Sequence, residues 1–247
     1  SVQPMGRGSF GGNMLIASTW RHREEMKRIG KGNADRRWDV LPQQPSLAYD
    51  LAQNRLIVTA AILQGPVFNA KADAADKFGS FGGLVGHELT RAIDAKGALV
   101  DAKGELRSWW TPADKTAWTL LGSRVATQYG GYEFPGVKGA KVNGTLTQEE
   151  NLADIAGLEL AWAAYTAQEP KAKPAQQQGF FRAWAALWPQ QLSPNEAARR
   201  LTADIRAPGR WRTNGPLSNL PAFGASFSCK PGQPMQRTDG EQIKVLR

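Results

Sequence analysis

The spacing of apolar residues along the chain is mostly that of amphipathic helices. Segment 13–29 carries apolar residues at positions consistent with one helical face, and Gly30 follows it as a candidate C-cap. Segment 149–168 shows a clearer helical stripe, and the aromatic-rich segment 177–188 follows it. These three segments are therefore predicted to be helices.

Capping residues mark two further helix starts. Thr111 precedes Pro112 at the first helical position, with an acid two residues further on, and this helix is predicted to reach about Tyr129. The run Ser-Pro-Asn-Glu at 193–196 is typical of a capping box. It predicts a short helix that ends near Ile205.

The remaining segments are extended, helical or irregular. The β-branched run 54–63 predicts a buried strand, which Gly65-Pro66 ends. A helix is expected at 81–95. After Pro208 the chain is rich in Pro, Gly, Ser and Asn, which predicts irregular structure. Helices thus outweigh strands, and the predicted fold class is mainly α, or α+β with a small sheet.

Length and composition are those of a globular chain. Its 247 residues can bury a full core in one domain or one and a half, and a hydrophobic content of 41% excludes a disordered chain. No apolar run approaches the length of a membrane span, and no signal peptide is visible at the start. Ser1 in place of Met suggests a processed or expressed fragment.

The formal net charge of +9 does not by itself indicate a nucleic-acid partner. The basic excess lies in residues 1–37 and 199–247, whereas residues 38–198 hold slightly more acidic than basic side chains. Aromatic and basic residues do not alternate, as a nucleic-acid reader would require. We therefore expect no nucleic-acid partner, and a basic structural domain is the most distant alternative.

The run Gly86-His87-Glu88-Leu89-Thr90-Arg91 differs by one residue from a zinc-peptidase motif. Positions i and i+4 of a helix share a face, so His-Glu-x-x-His directs two imidazoles at one Zn²⁺ while the Glu activates the bound water. Here the fifth residue is an arginine, which has no lone pair to donate. Taken alone, this run is compatible with an ordinary surface helix.

Further motifs follow in a fixed order, and together with the first they resemble the neprilysin-like family of zinc metallopeptidases. They are Phe78-Gly79-Ser80-Phe81-Gly82-Gly83-Leu84-Val85 before the His-Glu pair, Asp94-Ala95-Lys96-Gly97, Ser108-Trp109-Trp110-Thr111, Glu150-Asn151-Leu152-Ala153-Asp154, and Asp204-Ile205-Arg206-Ala207-Pro208-Gly209-Arg210-Trp211-Arg212. The resemblance extends from about Gly12 to Leu246.

The resemblance implies that residues 1–247 form the C-terminal, zinc-binding domain of such a peptidase. The expected fold is a thermolysin-like helical domain with a small edge sheet. The family's large helical N-terminal portion, absent here, roofs the active-site cavity and limits substrates to short peptides. Residues 1–40 are then expected to contain a helix that packs toward this missing portion.

The resemblance also assigns roles in the catalytic centre. His87 matches the first zinc ligand, Glu150 the third, and Arg91 stands in place of the second. Glu88 matches the general base, and Asp154 matches the carboxylate that fixes the tautomer of the first histidine. The alternative for Glu150 and Asp154 is a solvated helix face.

Other matches concern the substrate. Arg212 matches an arginine that binds a substrate carbonyl, and Leu84 and Trp188 match walls of the apolar pocket after the cleaved bond. Trp188 could also be ordinary core. Arg206 stands where the family has a histidine that stabilises the tetrahedral intermediate. Ser46 begins a stretch that replaces the family's Asn-Ala-aromatic substrate clamp.

Arg91, Arg206 and the stretch that begins at Ser46 replace family residues that act in catalysis or substrate binding, not residues of the hydrophobic core. The loss of one of three ligands should remove several kcal/mol of the roughly 10–16 kcal/mol typical of structural zinc sites. A guanidinium nearby adds repulsion of about 4 kcal/mol. We therefore expect weak or absent zinc. Our hypothesis is that Arg91, helped by Arg206, supplies the missing charge, with a bidentate Arg91–Glu150 pair.

Two functions remain open. The first is a zinc metallopeptidase that cleaves short peptides, with catalysis impaired by Arg91 and Arg206. The alternative is an inactive pseudopeptidase that binds peptides or a protein partner. Cys229 is the only cysteine, so no intrachain disulfide can form, and the resemblance matches Ile243 to its family partner position. This suggests a bacterial type, located in the periplasm, cell envelope or outside the cell.

Overall fold

The computed structural model describes residues 4–31, 40–230 and 232–246. By their contacts, residues 1–39 and 40–247 form two separate units. In the first, helix α1 spans Phe10–Met26, and the Ser9 side chain caps its first turn by accepting from the Gly12 N–H. The predicted helix exists, although it starts and ends earlier. Residues 1–3 and 32–39 of the range predicted to face the missing portion lie outside the described residues.

The second unit contains a two-stranded antiparallel sheet. Strand β1 spans Leu47–Asp50 and strand β2 spans Arg55–Val58, with Leu47 opposite Val58. The predicted strand 54–63 is therefore shorter than expected. The ladder stops because the Thr59 hydroxyl binds the carbonyl oxygens of Gln44 and Ser46, after which the chain turns into a 3₁₀ segment.

The segment with the His-Glu motif is a composite helix. Helix α2 (Ala74–Lys77) continues into a π-helical turn and then into α3 (Gly83–Leu89). After a 3₁₀ turn the helix ends before the predicted residue 95. It ends there because the Asp94 carboxylate accepts the N–H groups of Lys96 and Gly97, which bends the backbone out of the helix.

Two long helices form the centre of this unit. Helix α4 spans Pro112–Gly130 and begins with a complete capping box between Thr111 and Asp114, as predicted. Helix α5 spans Gly144–Gln168 and starts before the predicted residue 149, because Asn143 caps it. Gly144 lies so close to α4 that a Cβ there would stand 2.0 Å from the Ala126 carbonyl oxygen.

Four further helices complete the unit. Helix α6 spans Pro174–Ala185, α7 Pro194–Ala203, α8 Gly209–Ser218 and α9 Pro221–Ser226. The predicted irregular structure after residue 208 is therefore wrong for 209–226, whereas residues 227–230 and 232–246 form no helix or strand, as expected. In α8 the chain packs closely, since a Cβ on Gly215 would stand 2.2 Å from the Tyr129 hydroxyl oxygen. Tertiary packing of this kind overrides weak helix propensity.

The capping box predicted at 193–196 is only half formed. Ser193 accepts from the Glu196 N–H, but the Glu196 carboxylate binds Arg199 and Arg200 instead of returning to the cap. The helix forms nevertheless.

The hydrophobic core lies along α5. One cluster joins α5 with α6 and α9 around Tyr165, Phe180 and Trp184, and a second joins α5 with α4 around Val125 and Leu152. No helix in the described part of the chain is long and apolar enough to cross a membrane. The fold is mainly α with a small sheet, which confirms the predicted class.

Candidate active site

The candidate site lies where α3 crosses α5. A Cβ on Gly86 would stand 2.4 Å from the Gly157 carbonyl oxygen, and one on Gly157 would stand 2.3 Å from the backbone nitrogen of His87. Only glycine at both positions permits this approach of the two backbones. It places His87 beside the polar first half of α5, where Glu150 and Asp154 lie one turn apart.

The Asp154 side of the site is a buried chain of charge-assisted hydrogen bonds. Asp154 is fully buried, and its Oδ1 lies 2.7 Å from Nδ1 of His87. Arg212 donates to both carboxylate oxygens, with Nε at 2.8 Å and Nη2 at 2.7 Å. Burial raises the pKa of Asp154, but the charge and hydrogen bonds of Arg212 outweigh it and lower the pKa to about 2.

On the Glu150 side, Arg91 lies between the two matched metal ligands. Its Nη2 lies 3.1 Å from Nε2 of His87 and also donates to Oε1 of Glu150. Nη1 faces Asp94 at 3.5 Å. The predicted Arg91–Glu150 pair is therefore present, but it is made through one nitrogen and is not bidentate.

The contacts of His87 define its tautomer. A guanidinium only donates, so Nε2 accepts from Arg91 and Nδ1–H donates to Asp154. Burial lowers the pKa of His87, whereas the carboxylates of Asp154 and Glu150 raise it, and the net direction is upward. The Arg91 contact opposes protonation, because an imidazolium would direct N–H against N–H. The guanidinium and the carboxylates thus act on the protonation of the ring in opposite directions.

A second arginine reaches Glu150 from the other side. Nε of Arg206 lies 3.2 Å from Oε2, although this oxygen accepts no hydrogen bond of good geometry. Burial raises the pKa of Glu150, but the neighbouring His87 and the charge of Arg91 lower it to about 2. Glu150 is thus an ionised carboxylate held between two guanidinium groups.

Glu88 lies at the edge of this group. Its Oε1 is 3.9 Å from Nε2 of His87, and its carboxylate accepts a hydrogen bond from the backbone N–H of Tyr49 on β1. Burial raises the pKa of Glu88, while the charges of His87 and Arg91 act in the opposite direction. The matched general base therefore faces the cationic end of Arg91 and the edge strand.

The matched substrate residues lie in two places. The guanidinium of Arg212 stacks on the Trp188 ring at 3.7 Å, and Leu84 packs half-buried against the same hydrophobic cluster as Trp188. Ser46 is turned away, since its backbone N–H and carbonyl both bind Thr59. Along an antiparallel strand, residues whose N–H and C=O groups point toward the partner strand alternate with residues whose groups point away from it. Ser46 bonds to Thr59, so the backbone groups of Leu47 and Tyr49 point away from β2.

Two residues near the site are not singled out in the sequence analysis. Asp94 binds Arg91, and its place three residues after this arginine in the sequence was a usable signal. Tyr129 is fully buried, its hydroxyl has no partner within the described residues, and the charge of Asp154 helps raise its pKa beyond the effect of burial. Only the packing of α4 against α8 reveals it.

The arrangement does not fit a zinc ion. The two donor atoms that would have to face a metal, Nε2 of His87 and Oε1 of Glu150, both face the same nitrogen of Arg91. Within the described residues no group of three His, Cys, Asp or Glu side chains is placed to hold a metal ion. A guanidinium occupies the position between the ligands, and it cannot coordinate a metal.

Comparison with known proteins agrees with the motif order and the fold. Residues 48–243 match the family described as Peptidase family M13. This chain therefore belongs to Peptidase family M13, which confirms the resemblance to neprilysin-like zinc metallopeptidases.

Individual relatives cover most of this chain. Endothelin-converting enzyme 1 of Bos taurus is 34% identical over 207 residues, which are 80% of this chain and 27% of that protein. Neprilysin-3 of Drosophila melanogaster is 29% identical over 237 residues, which are 92% of this chain and 30% of that protein. The chain thus spans less than a third of the length of these curated relatives.

Solved structures show the same fold. The Mycobacterium tuberculosis zinc metalloprotease Zmp1, in complex with an inhibitor, matches with a TM-score of 0.88 and 28% identity, over 98% of this chain and 38% of that chain. PepO from Lactobacillus rhamnosis matches with a TM-score of 0.76 and 33% identity, over 85% of this chain and 32% of that chain.

Proposed function

We propose that this member of Peptidase family M13 binds short peptides without hydrolysing them. The observation that carries the proposal is the position of Arg91, whose Nη2 contacts both His87 and Glu150. The guanidinium provides positive charge but offers no coordination site for a water molecule. In the proposed site, Glu88 remains near His87 but has no activated water to deprotonate.

The Asp154 side of the site supports a role in peptide binding. Asp154 and Arg212 are fixed by two hydrogen bonds, and Arg212 is further held against Trp188. Nη1 of Arg212 has no hydrogen-bond partner within the described residues, so it is available to a peptide carbonyl. The edge of β1 that faces away from β2 offers the backbone groups of Leu47 and the carbonyl of Tyr49 to an extended peptide, since the Tyr49 N–H donates to Glu88.

The wider context of this function is also proposed. Relatives are longer than this chain, so the partner set includes an N-terminal portion of the same protein as well as short peptides. We place the protein in the periplasm, the cell envelope or outside the cell, on the basis of the family type and the single cysteine.

The second candidate is an active zinc metallopeptidase with weakened metal binding. It is favoured by the retained His87–Asp154 hydrogen bond at 2.7 Å and by Glu88 beside the ring. For this function Arg91 would have to leave its contacts with His87 and Glu150.

Zinc content and peptide cleavage separate the two candidates. The purified chain is incubated in zinc-supplemented buffer, and zinc per chain is measured by elemental analysis together with cleavage of a quenched fluorescent peptide. We expect zinc near zero and no cleavage. Near one equivalent of zinc, removed by chelator along with peptidase activity, would establish the second candidate instead.

The Arg91→His variant is the matched control. It restores a donor atom, so zinc should rise toward one equivalent, but cleavage should stay low because Arg206 also departs from the family pattern. Full activity from this single change would disprove the idea that two arginines disable the site.

A further inference from the structure

Arg206 is fixed at its backbone and open at its tip. It lies in the short connection between α7 and α8, where its N–H donates to Oδ1 of Asp204 at 3.0 Å. The side chain is 51% exposed, and its only charged contact within the described residues is Nε with Glu150 at 3.2 Å. Nη1 and Nη2 therefore have no hydrogen-bond partner in the described part of the chain.

The nearby acids do not neutralise this guanidinium. Glu150 is already hydrogen-bonded by Arg91 at its other oxygen. Asp154 is bound by Nε and Nη2 of Arg212. Asp204 uses one oxygen for the Arg206 backbone and pairs with Arg200 at 3.5 Å through the other. Two guanidinium groups thus share one carboxylate, and the more exposed of them keeps an open pair of donors.

A planar pair of N–H donors with a fixed positive charge is suited to a carboxylate. Such bidentate contacts are shorter and roughly twice as strong as hydrogen bonds between neutral groups. Arg206 never loses its charge, so it favours a full anion over a neutral carbonyl oxygen.

We propose that Arg206 binds a carboxylate of the bound peptide, either its C-terminal carboxylate or the side chain of an Asp or Glu. This inference rests on the proposed peptide-binding function and specifies its ligand class. The site would then select peptides with a free C-terminus or an acidic residue, rather than peptides with an uncharged backbone alone.

Isothermal titration calorimetry with three probes tests the carboxylate contact. The first is acetyl-Ala-Ala-Phe-Leu-Ala as the free acid, the second is the same peptide as the C-terminal amide, and the third is the amide with Asp in place of the last Ala. A charged hydrogen-bonded pair should make one carboxylate-bearing probe bind about tenfold more tightly than the plain amide. The probe with the tighter binding identifies the source of the carboxylate.

Two variants assign the effect to Arg206. Arg206→Gln should remove the preference for the carboxylate, so that this variant binds the free acid, the plain amide and the Asp amide equally. Arg210→Gln is the matched control, because it deletes the same charge from an exposed arginine. Arg210 stacks on Trp211 and does not belong to the group formed by His87, Glu150, Arg91 and Arg206. It should keep the preference.

The outcomes separate the two proposals. Equal binding of all three probes, or an unchanged preference in Arg206→Gln, would overturn the carboxylate contact and leave peptide binding intact. Binding of none of the probes would overturn the proposed function itself. Cleavage of a probe during the titration would also count against the proposed function, whichever probe binds more tightly.

Discussion

The two sides of the candidate site differ in what holds their carboxylates. Asp154 is fully buried and is bound by Arg212 through two hydrogen bonds of good geometry. Glu150 is more exposed, and of its two arginines only Arg91 makes a hydrogen bond. The side that orients His87 is thus built as a rigid support, whereas the side that would face a metal is an adjustable ion cluster.

This contrast has a physical reason. A carboxylate deep in the protein must be paired completely, because an uncompensated buried charge is strongly destabilising. Glu150 is also buried, at 7% exposed, but the side chains of Arg91 and Arg206 are 21% and 51% exposed, so water screens their charges and imperfect pairing costs less. The Asp154 side is therefore constrained by folding, whereas residues on the Glu150 side are freer to change with function.

The largest effect is expected from the Asp154 side. Asp154→Asn leaves the buried Arg212 without its counter-charge, so the free energy of unfolding should fall by about 3–5 kcal/mol. Urea denaturation followed by circular dichroism measures the change. Asp239→Asn, on the exposed surface, is the control and should have almost no effect. A loss below about 1 kcal/mol would remove the distinction between the two sides.

The stability that Asp154 contributes should also depend on pH. The pKa of Asp154 in the folded chain is about 2, below its ordinary value of 3.8, so its contribution is complete above the unfolded pKa and lost as pH falls toward 2. The charged groups that face it are Arg212 on α8 and His87 on α3, with Tyr129 of α4 nearby.

We expect Asp154 to account for about 2 kcal/mol of the fall in the free energy of unfolding below about pH 5, and Glu150, whose pKa is also about 2, to add to this fall. Urea denaturation at each pH provides the profile. Asp154→Asn should flatten the acidic part of the curve. If this variant and the original chain lose stability equally on acidification, the loss comes from other carboxylates.

A smaller effect is expected from Arg91. Arg91→Met removes the hydrogen bonds to His87 and Glu150 but leaves Arg206 beside the carboxylate, so stability should fall by only about 1 kcal/mol. Arg199→Met is the control for an exposed arginine, since its side chain is 65% exposed. A loss as large as that of Asp154→Asn would show that the Glu150 side is equally rigid.

Much of the helical fold can be predicted from local sequence. The starts of α4 and α7 are marked by Thr111 and Ser193 with a following proline, because these signals act within one helical turn. Helices α8 and α9 are not visible in this way. Their sequence is rich in helix breakers, and their conformation depends on packing such as that of Gly215 against Tyr129.

The candidate site divides in the same manner. The motif order identifies His87, Glu150 and Asp154, and helical spacing places the last two on one face of α5. The hypothesis that Arg206 helps Arg91 to supply positive charge agrees with its position 3.2 Å from Glu150, but the contacting atoms of both arginines could not be derived. They depend on side-chain conformations, and the position of Arg206 also depends on a connection far away in sequence.

The glycine pair at the helix crossing has one more consequence. Because Gly86 and Gly157 fix the separation of the backbones, whatever residue stands at position 91 projects toward the same two acceptors. A substitution at position 91 alone would therefore change which cation lies between His87 and Glu150, without a change in the backbone around it. Histidine with zinc, arginine and lysine could be compared there on an unchanged scaffold, as a direct measure of what a metal contributes beyond its charge.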